Sequence, residues 1–310
     1  MKILLAGASG FIGRNFIVKA PPDWDITSLY HSNKAFAQFA NNFTNVSIKQ
    51  CNLADHSHAK PTVSGLSEYY DVGLFIWGNS DIGLSCQEPL NDIRNNVMSL
   101  VNLITTVKFG KFIFMSSGTV YMGQEGLVNH DKALFPPSPY GINKLSSELY
   151  VRFFSEKTEQ IKKYVNIRFF GAYGPMEPQR KIYTNLVKRF FIDKKNDFTL
   201  SGDGTNLIDA MYIDDAIDAL QKIIVSPHAN VTVDICQGQP MTITDLVLRV
   251  ANIFGVKNTQ IKYTGESKEK ITFWASPQIA KECFNFEAKV PLEKGMLKLR
   301  DYLLGDANHV

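Results

Sequence analysis

Cysteine is sparse in this chain of 310 residues. Its four thiols, Cys51, Cys86, Cys236 and Cys283, stand far apart and match no metal-ligand spacing. So few scattered thiols in so long a chain read as a reduced, cytoplasmic protein without a metal. Long apolar runs are missing as well. The opening Met1-Lys2-Ile3-Leu4-Leu5-Ala6 stops at Gly7, too short for the core of a secretion signal. No other run approaches the length of a membrane span, so no membrane partner is expected. Charge of one sign is lacking too: 33 basic and 30 acidic side chains leave +3. No basic stripe marks a nucleic-acid face. The short groups Lys162-Lys163, Lys188-Arg189 and Lys194-Lys195 read as solvated helix faces. There is no internal repeat and no low-complexity stretch. What these absences leave is a soluble protein, 45% apolar, with a substantial core and length enough for two lobes.

What is present is a rhythm. Short β-branched runs read as strands at Ile3–Ala6, Asp25–Tyr30, Asn45–Gln50, Asp71–Trp77, Lys111–Ser116 and Tyr164–Phe169. Helical patterns fall between several of them, notably from about Phe11, at Leu90–Val107 and at Pro139–Ser155. Such alternation predicts an α/β fold, a parallel sheet with helices on both faces. After Phe170 the rhythm changes. Breaker clusters stand at 171–175 and 201–205, and helices are expected near Pro178–Lys194, Asp214–Val225, Thr242–Phe254 and Leu292–Leu304. Residues 1–172, with segments returning near 207–235, form one expected domain; 173–310 form a smaller, mostly helical lobe interleaved with it.

Gly7-Ala8-Ser9-Gly10-Phe11-Ile12-Gly13 follows the first strand and opens the first helix. Gly7 permits the tight turn, Gly10 lets a pyrophosphate approach the backbone, and Gly13 lets helix and strand pack closely. A helix N-terminus offers unpaired amides to phosphate. Set after an N-terminal strand in a β/α pattern, this loop predicts a doubly wound Rossmann domain that binds a dinucleotide. Its G-x-x-G-x-x-G spacing resembles the short-chain dehydrogenase/reductase superfamily, in its extended branch of nucleotide-sugar epimerases, dehydratases and reductases.

The residues that this resemblance demands are in place. Tyr140-Gly141-Ile142-Asn143-Lys144 puts a phenol and an ammonium at i and i+4, on one helix face. Ser116-Ser117-Gly118-Thr119-Val120-Tyr121 resembles the family's serine segment, whose hydroxyl lies four residues before the tyrosine, here Ser117. The resemblance makes Ser117, Tyr140 and Lys144 catalytic. A free tyrosine titrates near pH 10, so acid/base work at neutral pH needs a shift of about three units, or ~4 kcal/mol. Lys144 is expected to supply much of it by favouring the phenolate, with the positive nicotinamide adding to it. Tyr140 then gives a proton to a carbonyl as hydride arrives, or removes one in reverse. Ser117 holds the same oxygen, and Lys144 reaches the nicotinamide ribose. Tyr30 and Lys34 share the Tyr–Lys spacing but lack an upstream serine strand, so they receive no catalytic role.

The resemblance runs through nearly the whole chain. It implies cofactor contacts from Gly7, Ser9, Gly10, Phe11, Ile12 and Gly13, and from Tyr140 and Lys144. Asn52-Leu53-Ala54-Asp55 resembles the adenine-binding segment, with asparagine in place of its first aspartate. Trp77 and Gly78 end the cofactor-lining fourth strand, and Asn96 stands at the active-site asparagine of the helix after Ser85. Ser85, Thr119 and Gly171 are implied on the substrate side. Arg168 through Pro175 and Gly202 through Asp215 match the segments closing the substrate lobe.

Departures matter as much. Gly171 stands where relatives often carry a substrate-binding asparagine, and Ile208 where an arginine often grips the diphosphate. Arg180 or Lys181 is the expected replacement; the alternative is a pair of solvated helix charges. An acidic residue after the second strand would bind the ribose of NAD. Here His31, Ser32, Asn33 and Lys34 follow instead, and Lys34 with Ser32, and Arg14, are placed to meet a 2′-phosphate. This favours NADP(H) within an NAD(P) site. Gly118 and Thr119 fill the places of the dehydratases' Asp-Glu, which disfavours dehydration. A ketoreductase is favoured slightly, a 4-epimerase with retained NAD stays open, and a non-catalytic dinucleotide sensor is the reading from another class. The substrate expected is a small molecule, a sugar nucleotide. The resemblance also implies a homodimer through the helices at Leu90–Val107 and Pro139–Ser155.

Overall fold

The computed structural model describes residues 1–265 and 270–305. The chain divides into two compact units. The first holds Met1–Tyr121, Ala133–Phe169 and Leu220–Asp234; the second holds Met122–Lys132, Phe170–Ala219 and the chain from Ile235 onward.

The first unit is built on a seven-stranded sheet. Its strands are β1 (Lys2–Ala6), β2 (Asp25–Tyr30), β3 (Val46–Gln50), β4 (Tyr69–Phe75), β5 (Lys108–Ser117), β6 (Ile161–Phe169) and β7 (Val231–Ile235). They lie in the order β7-β6-β5-β4-β1-β2-β3. Pairing is parallel, with Leu5 opposite both Ser28 and Leu74, and Ser117 opposite Phe169. Strands buried on both faces need continuous apolar sequence. Ile3-Leu4-Leu5-Ala6 and Phe112-Ile113-Phe114 supply it, none of them more than 1% exposed.

Helices α1 (Phe11–Lys19), α2 (Ala35–Ala40), α3 (His56–Ser64), α4 (Ile82–Gln87), α5 (Pro89–Ile93), α6 (Ser99–Ile104) and α7 (Pro139–Lys157) belong to this unit. Leu100, Leu103, Ile104 and Val151 join Phe75, Phe109, Phe112 and Phe114 in one core. The strand order reverses between β1 and β4, which opens a crevice at their carboxyl ends. Both Gly7 and Trp77 stand there.

The helix expected over Leu90–Val107 is broken. Between α5 and α6 the turns widen over Arg94–Met98 into a π-helical segment. Such bulges insert one residue into the helix and re-aim the side chains beyond it. The run expected over Pro178–Lys194 begins late. Lys181 is extended (φ −76°, ψ 149°), so α8 covers only Ile182–Leu186 before a second π segment, Val187–Ile192.

In the second unit, read from the sequence as mostly helical, four two-stranded ribbons accompany the helices among the described residues. Ala172–Tyr173 pairs with Met211–Tyr212, Leu207–Ile208 with Met241–Thr242, Asp197–Leu200 with Gln260–Tyr263, and Glu125–Leu127 with Thr272–Trp274. Strands of two to four residues carry too few alternations to show a period. Helices α9 (Ile213–Val225), α10 (Ile243–Ile253), α11 (Gln278–Phe284) and α12 (Leu292–Leu303) complete the chain. Tyr173 and Tyr183 stack at 4.1 Å inside this unit, and Asp215 accepts the amides of Lys289 and Val290 at 3.0 and 2.8 Å.

Candidate active site

The glycine loop is shaped by what its residues lack. Gly7 adopts φ +93°, and a Cβ there would lie 2.8 Å from the Trp77 amide nitrogen. At Gly13 a Cβ would lie 2.6 Å from the carbonyl oxygens of both Gly7 and Ala8. Loop, helix and β4 therefore meet at backbone distance. Gly10 caps α1 without a side-chain hydrogen bond, and no acidic residue follows in the first turn. The leading amides are thus open to an anion. A cavity of about 350 Å³ lies in front of them, lined by Gly7, Ser9, Gly10, His31, Ile76, Trp77, Gly78, Asn79 and Asn95.

Other cofactor residues read from the sequence occupy varied positions. Phe11 and Ile12 open α1, half-buried. His31 faces Trp77 with ring centroids 6.2 Å apart, while Ser32 and Lys34 are exposed beyond β2. Asn52 turns its side-chain oxygen to the Ala54 amide at 3.2 Å, and Leu53 is fully buried. Asn96 is buried, and its side-chain oxygen has no hydrogen-bond partner. A Cβ on Gly78 would lie 2.3 Å from that oxygen. Asn79 and Asn95, which the sequence reading passed over, line the cavity. Their signal was adjacency to Gly78 and Asn96, and the widened helical turn brings Asn95 to the wall.

Ser117, Tyr140 and Lys144 come together in the first unit, none more than 9% exposed. Ser117 ends β5. Tyr140 and Lys144 share a face at the start of α7, where Pro139 fills the first turn and Ser138 Oγ accepts the Gly141 amide at 3.2 Å. The hydroxyl of Ser117 hydrogen-bonds the phenol. Lys144 Nζ donates to the Met115 carbonyl at 3.0 Å and lies 5.6 Å from the centre of the Tyr140 ring. Behind them Ser116 Oγ donates to Glu148 at 2.5 Å. Arg168 grips that carboxylate with two bonds of 3.1 and 2.8 Å, and donates to Tyr121, whose hydroxyl reaches Asp234 at 3.0 Å. Strands β5, β6 and β7, helix α7 and the turn at Tyr121 are locked together by this buried network.

The electrostatics correct one expectation. Burial pushes the Tyr140 phenol up to about 12; the Ser117 bond pulls against this and the Asp92 carboxylate adds to it. Burial pushes Lys144 down to about 8, against the pull of Asp92 and Glu148. The protein's own groups therefore leave the phenol protonated at neutral pH. Desolvation of the phenolate dominates, and the one opposing influence on it is the Ser117 bond.

On the substrate side, Ser85 is fully buried. Its oxygen accepts the Tyr140 amide at 3.2 Å and donates to the Ile82 carbonyl at 2.7 Å, so it ties α4 to α7. The hydroxyl of Thr119 is buried and has no hydrogen-bond partner. In the second unit Gly171 adopts φ +113°, with Ala210 crowding the place of a Cβ at 3.3 Å. Ile208 lies in a ribbon opposite Met241. Arg180 is exposed and Lys181 half-buried at the entrance to α8. Among the described residues no helix is long and apolar enough to cross a membrane, and no acidic, histidine or cysteine group is placed to hold a metal.

Known proteins resemble this chain along its whole length. The uncharacterized UDP-glucose epimerase YtcB of Bacillus subtilis is 24% identical over 313 residues, covering 98% of each chain. The UDP-glucose 4-epimerase of Thermotoga maritima, solved with UDP-glucose, superposes with a TM-score of 0.84 at 24% identity, covering 99% of both chains. The UDP-glucuronic acid 4-epimerase of Bacillus cereus, solved with UDP-glucuronic acid and NAD, gives 0.84 at 23% identity, covering 98% of this chain and 99% of that one. These two structures share the fold seen here. A model of the NAD dependent epimerase/dehydratase family matches residues 3–236, from β1 through the last strand of the sheet, and the chain belongs to that family.

Proposed function

We propose that this protein is an NAD(P)-dependent epimerase of a nucleotide-linked sugar, with Tyr140 as its acid and base. The observation that carries the reading is the joining of a phenol, a serine hydroxyl and a lysine in one buried corner at the carboxyl end of β5. The named relatives that are UDP-sugar epimerases support the substrate class. When bound, the dinucleotide supplies the acceptor and donor of hydride. Gly7, Ser9, Gly10 and Gly13 would cradle its pyrophosphate, Trp77 and Gly78 its path along β4, and Asn96 and Lys144 its nicotinamide end.

Ser117 would hold the substrate's reacting oxygen by hydrogen bond. Tyr140 Oη accepts the proton of the sugar hydroxyl as the carbon is oxidised, and returns it when the ketone is reduced on its other face. Arg180 and Lys181 would hold the diphosphate in place of the arginine absent at Ile208. Replacing both with alanine is expected to weaken substrate affinity; unchanged affinity would remove that assignment.

A second reading, a ketoreductase using NADP(H), is favoured by the loop after β2. No carboxylate stands there, while Ser32 and Lys34 are exposed. Two measurements together separate the readings. Mass spectrometry of the purified protein is expected to find a retained dinucleotide, and incubation with a UDP-hexose to give its 4-epimer without added cofactor. A protein that carries no dinucleotide and converts the substrate only with added NADPH is the reductase.

Exposed apolar side chains also support a homodimer. Leu90, Ile93 and Met98 stand on the α5–α6 stretch, and Ile142, Leu149 and Phe153 on α7, each at least 40% exposed. A C2 pairing of these helices would cover them.

A further inference from the structure

Asp92 is 2% exposed in α5, and the reaction described above makes no use of it. Oδ1 accepts the side-chain amides of Asn79 at 2.8 Å and Asn96 at 3.0 Å, and Oδ2 accepts that of Asn143 at 2.8 Å. Three N–H donors on two oxygens match the acceptor-only inventory of a carboxylate. The donors come from three places. Asn79 follows β4 and lines the cavity, and Asn96 lies in the π segment. Asn143 lies in α7, between Tyr140 and Lys144. The clamp thus joins the cavity wall to the helix that carries the reacting pair.

Its charge also reaches that pair. Tyr140 faces Lys144 on its own helix, Ser117 on β5 and Asp92 on α5; Lys144 faces Asp92 and, on α7, Glu148. Glu148 is matched by its two bonds to Arg168, which also meets Tyr121 and, through it, Asp234. Asp92 is held by amides, which carry no net charge. Inside a protein such a field is weakly screened. It opposes a phenolate and favours an ammonium.

We propose that Asp92, clamped by Asn79, Asn96 and Asn143, is a positioning residue for the reaction, tying the cavity wall to α7 and keeping Tyr140 and Lys144 as neutral phenol and ammonium. This assignment deepens the epimerase reading and rests on it for its part in catalysis. The free protein is then poised as a proton donor; the positive charge of a bound oxidised dinucleotide would favour loss of the phenol proton to solvent, leaving the phenolate that accepts from the sugar hydroxyl.

The test is Asp92→Asn, which removes the charge at nearly constant size; a flip of the Asn143 amide restores complementary hydrogen bonds. Protein labelled with ¹³C at lysine Cε is titrated by NMR, and the Lys144 resonance is assigned by its loss in Lys144→Arg. The Lys144 midpoint is expected to move to lower pH in Asp92→Asn and to move back toward the parent value in Asp92→Glu. Asn143→Ala, which keeps the charge and cuts the tie to α7, is expected to leave the midpoint near that of the parent while lowering kcat more than it raises KM. An unchanged midpoint in Asp92→Asn, with melting temperature alone reduced, would make Asp92 a structural residue and overturn the proposal. The titration needs no substrate. A failure to epimerise any sugar nucleotide would therefore sink the proposed function and leave this coupling readable.

Discussion

Two regions of the first unit are built by opposite means. The loop at Gly7–Gly13 works through missing side chains: a Cβ at Gly13 would meet backbone oxygens at 2.6 Å. The corner at Ser117, Tyr140 and Lys144 works through side chains that are present and buried, two of them titratable. The loop is a steric device, set once the chain folds. The corner is an electrostatic one, and its state depends on which charges stand nearby. Variants should therefore fail differently in the two places.

The largest effect is expected in the corner. Tyr140→Phe removes the only proposed proton carrier, and general acid–base groups contribute typically 10²–10⁴-fold. Turnover is expected to fall about 10³-fold, while dinucleotide content and melting temperature stay at parental values. Steady-state kinetics with mass spectrometry of the bound dinucleotide checks this. A variant that keeps more than a tenth of its turnover would mean that the corner is not the acid/base.

A smaller effect, of another kind, is expected in the loop. Gly13→Ala forces its methyl against two carbonyl oxygens that belong to the backbone and have little room to yield. Overpacking of this sort costs typically 1–3 kcal/mol. Chemical denaturation should show about that loss, together with a lower retained dinucleotide content. If dinucleotide is held and stability is unchanged, the loop is looser than its geometry says, and the contrast with the corner weakens.

The same contrast explains how much was legible beforehand. Steric roles are written in residue identity, so Gly7, Gly10 and Gly13 could be read from their spacing after the first strand, and the i, i+4 pair on α7 from its spacing together with the upstream serine segment. Six of the seven strands of the sheet follow from short β-branched runs. Electrostatic roles depend on neighbours distant in sequence. Asp92 and Asn143 are 51 residues apart, and nothing in either segment announces the other. The acidity expected of Tyr140 counted the ammonium, which is in the sequence, and left out burial, which is not. The π segment at Arg94–Met98 escaped for a similar reason: one inserted residue leaves the apolar period nearly intact. In the second unit the ribbons are too short to show any period.

The smallest expected effect sharpens the comparison, because it adds charge to the steric region. Lys34 is exposed and stands after β2, where no carboxylate is found. If it meets a 2′-phosphate, it does so in water, where exposed ion pairs are worth about 0.2–1 kcal/mol. Lys34→Ala should then weaken NADP(H) binding by about 1.4-fold to fivefold at low salt, leave NAD(H) unchanged, and lose its effect as salt rises. Calorimetry with both dinucleotides at two salt concentrations reads all three. Equal weakening of both would mean that Lys34 acts through the fold of the loop, which would return the whole cradle to shape and leave charge to the corner alone.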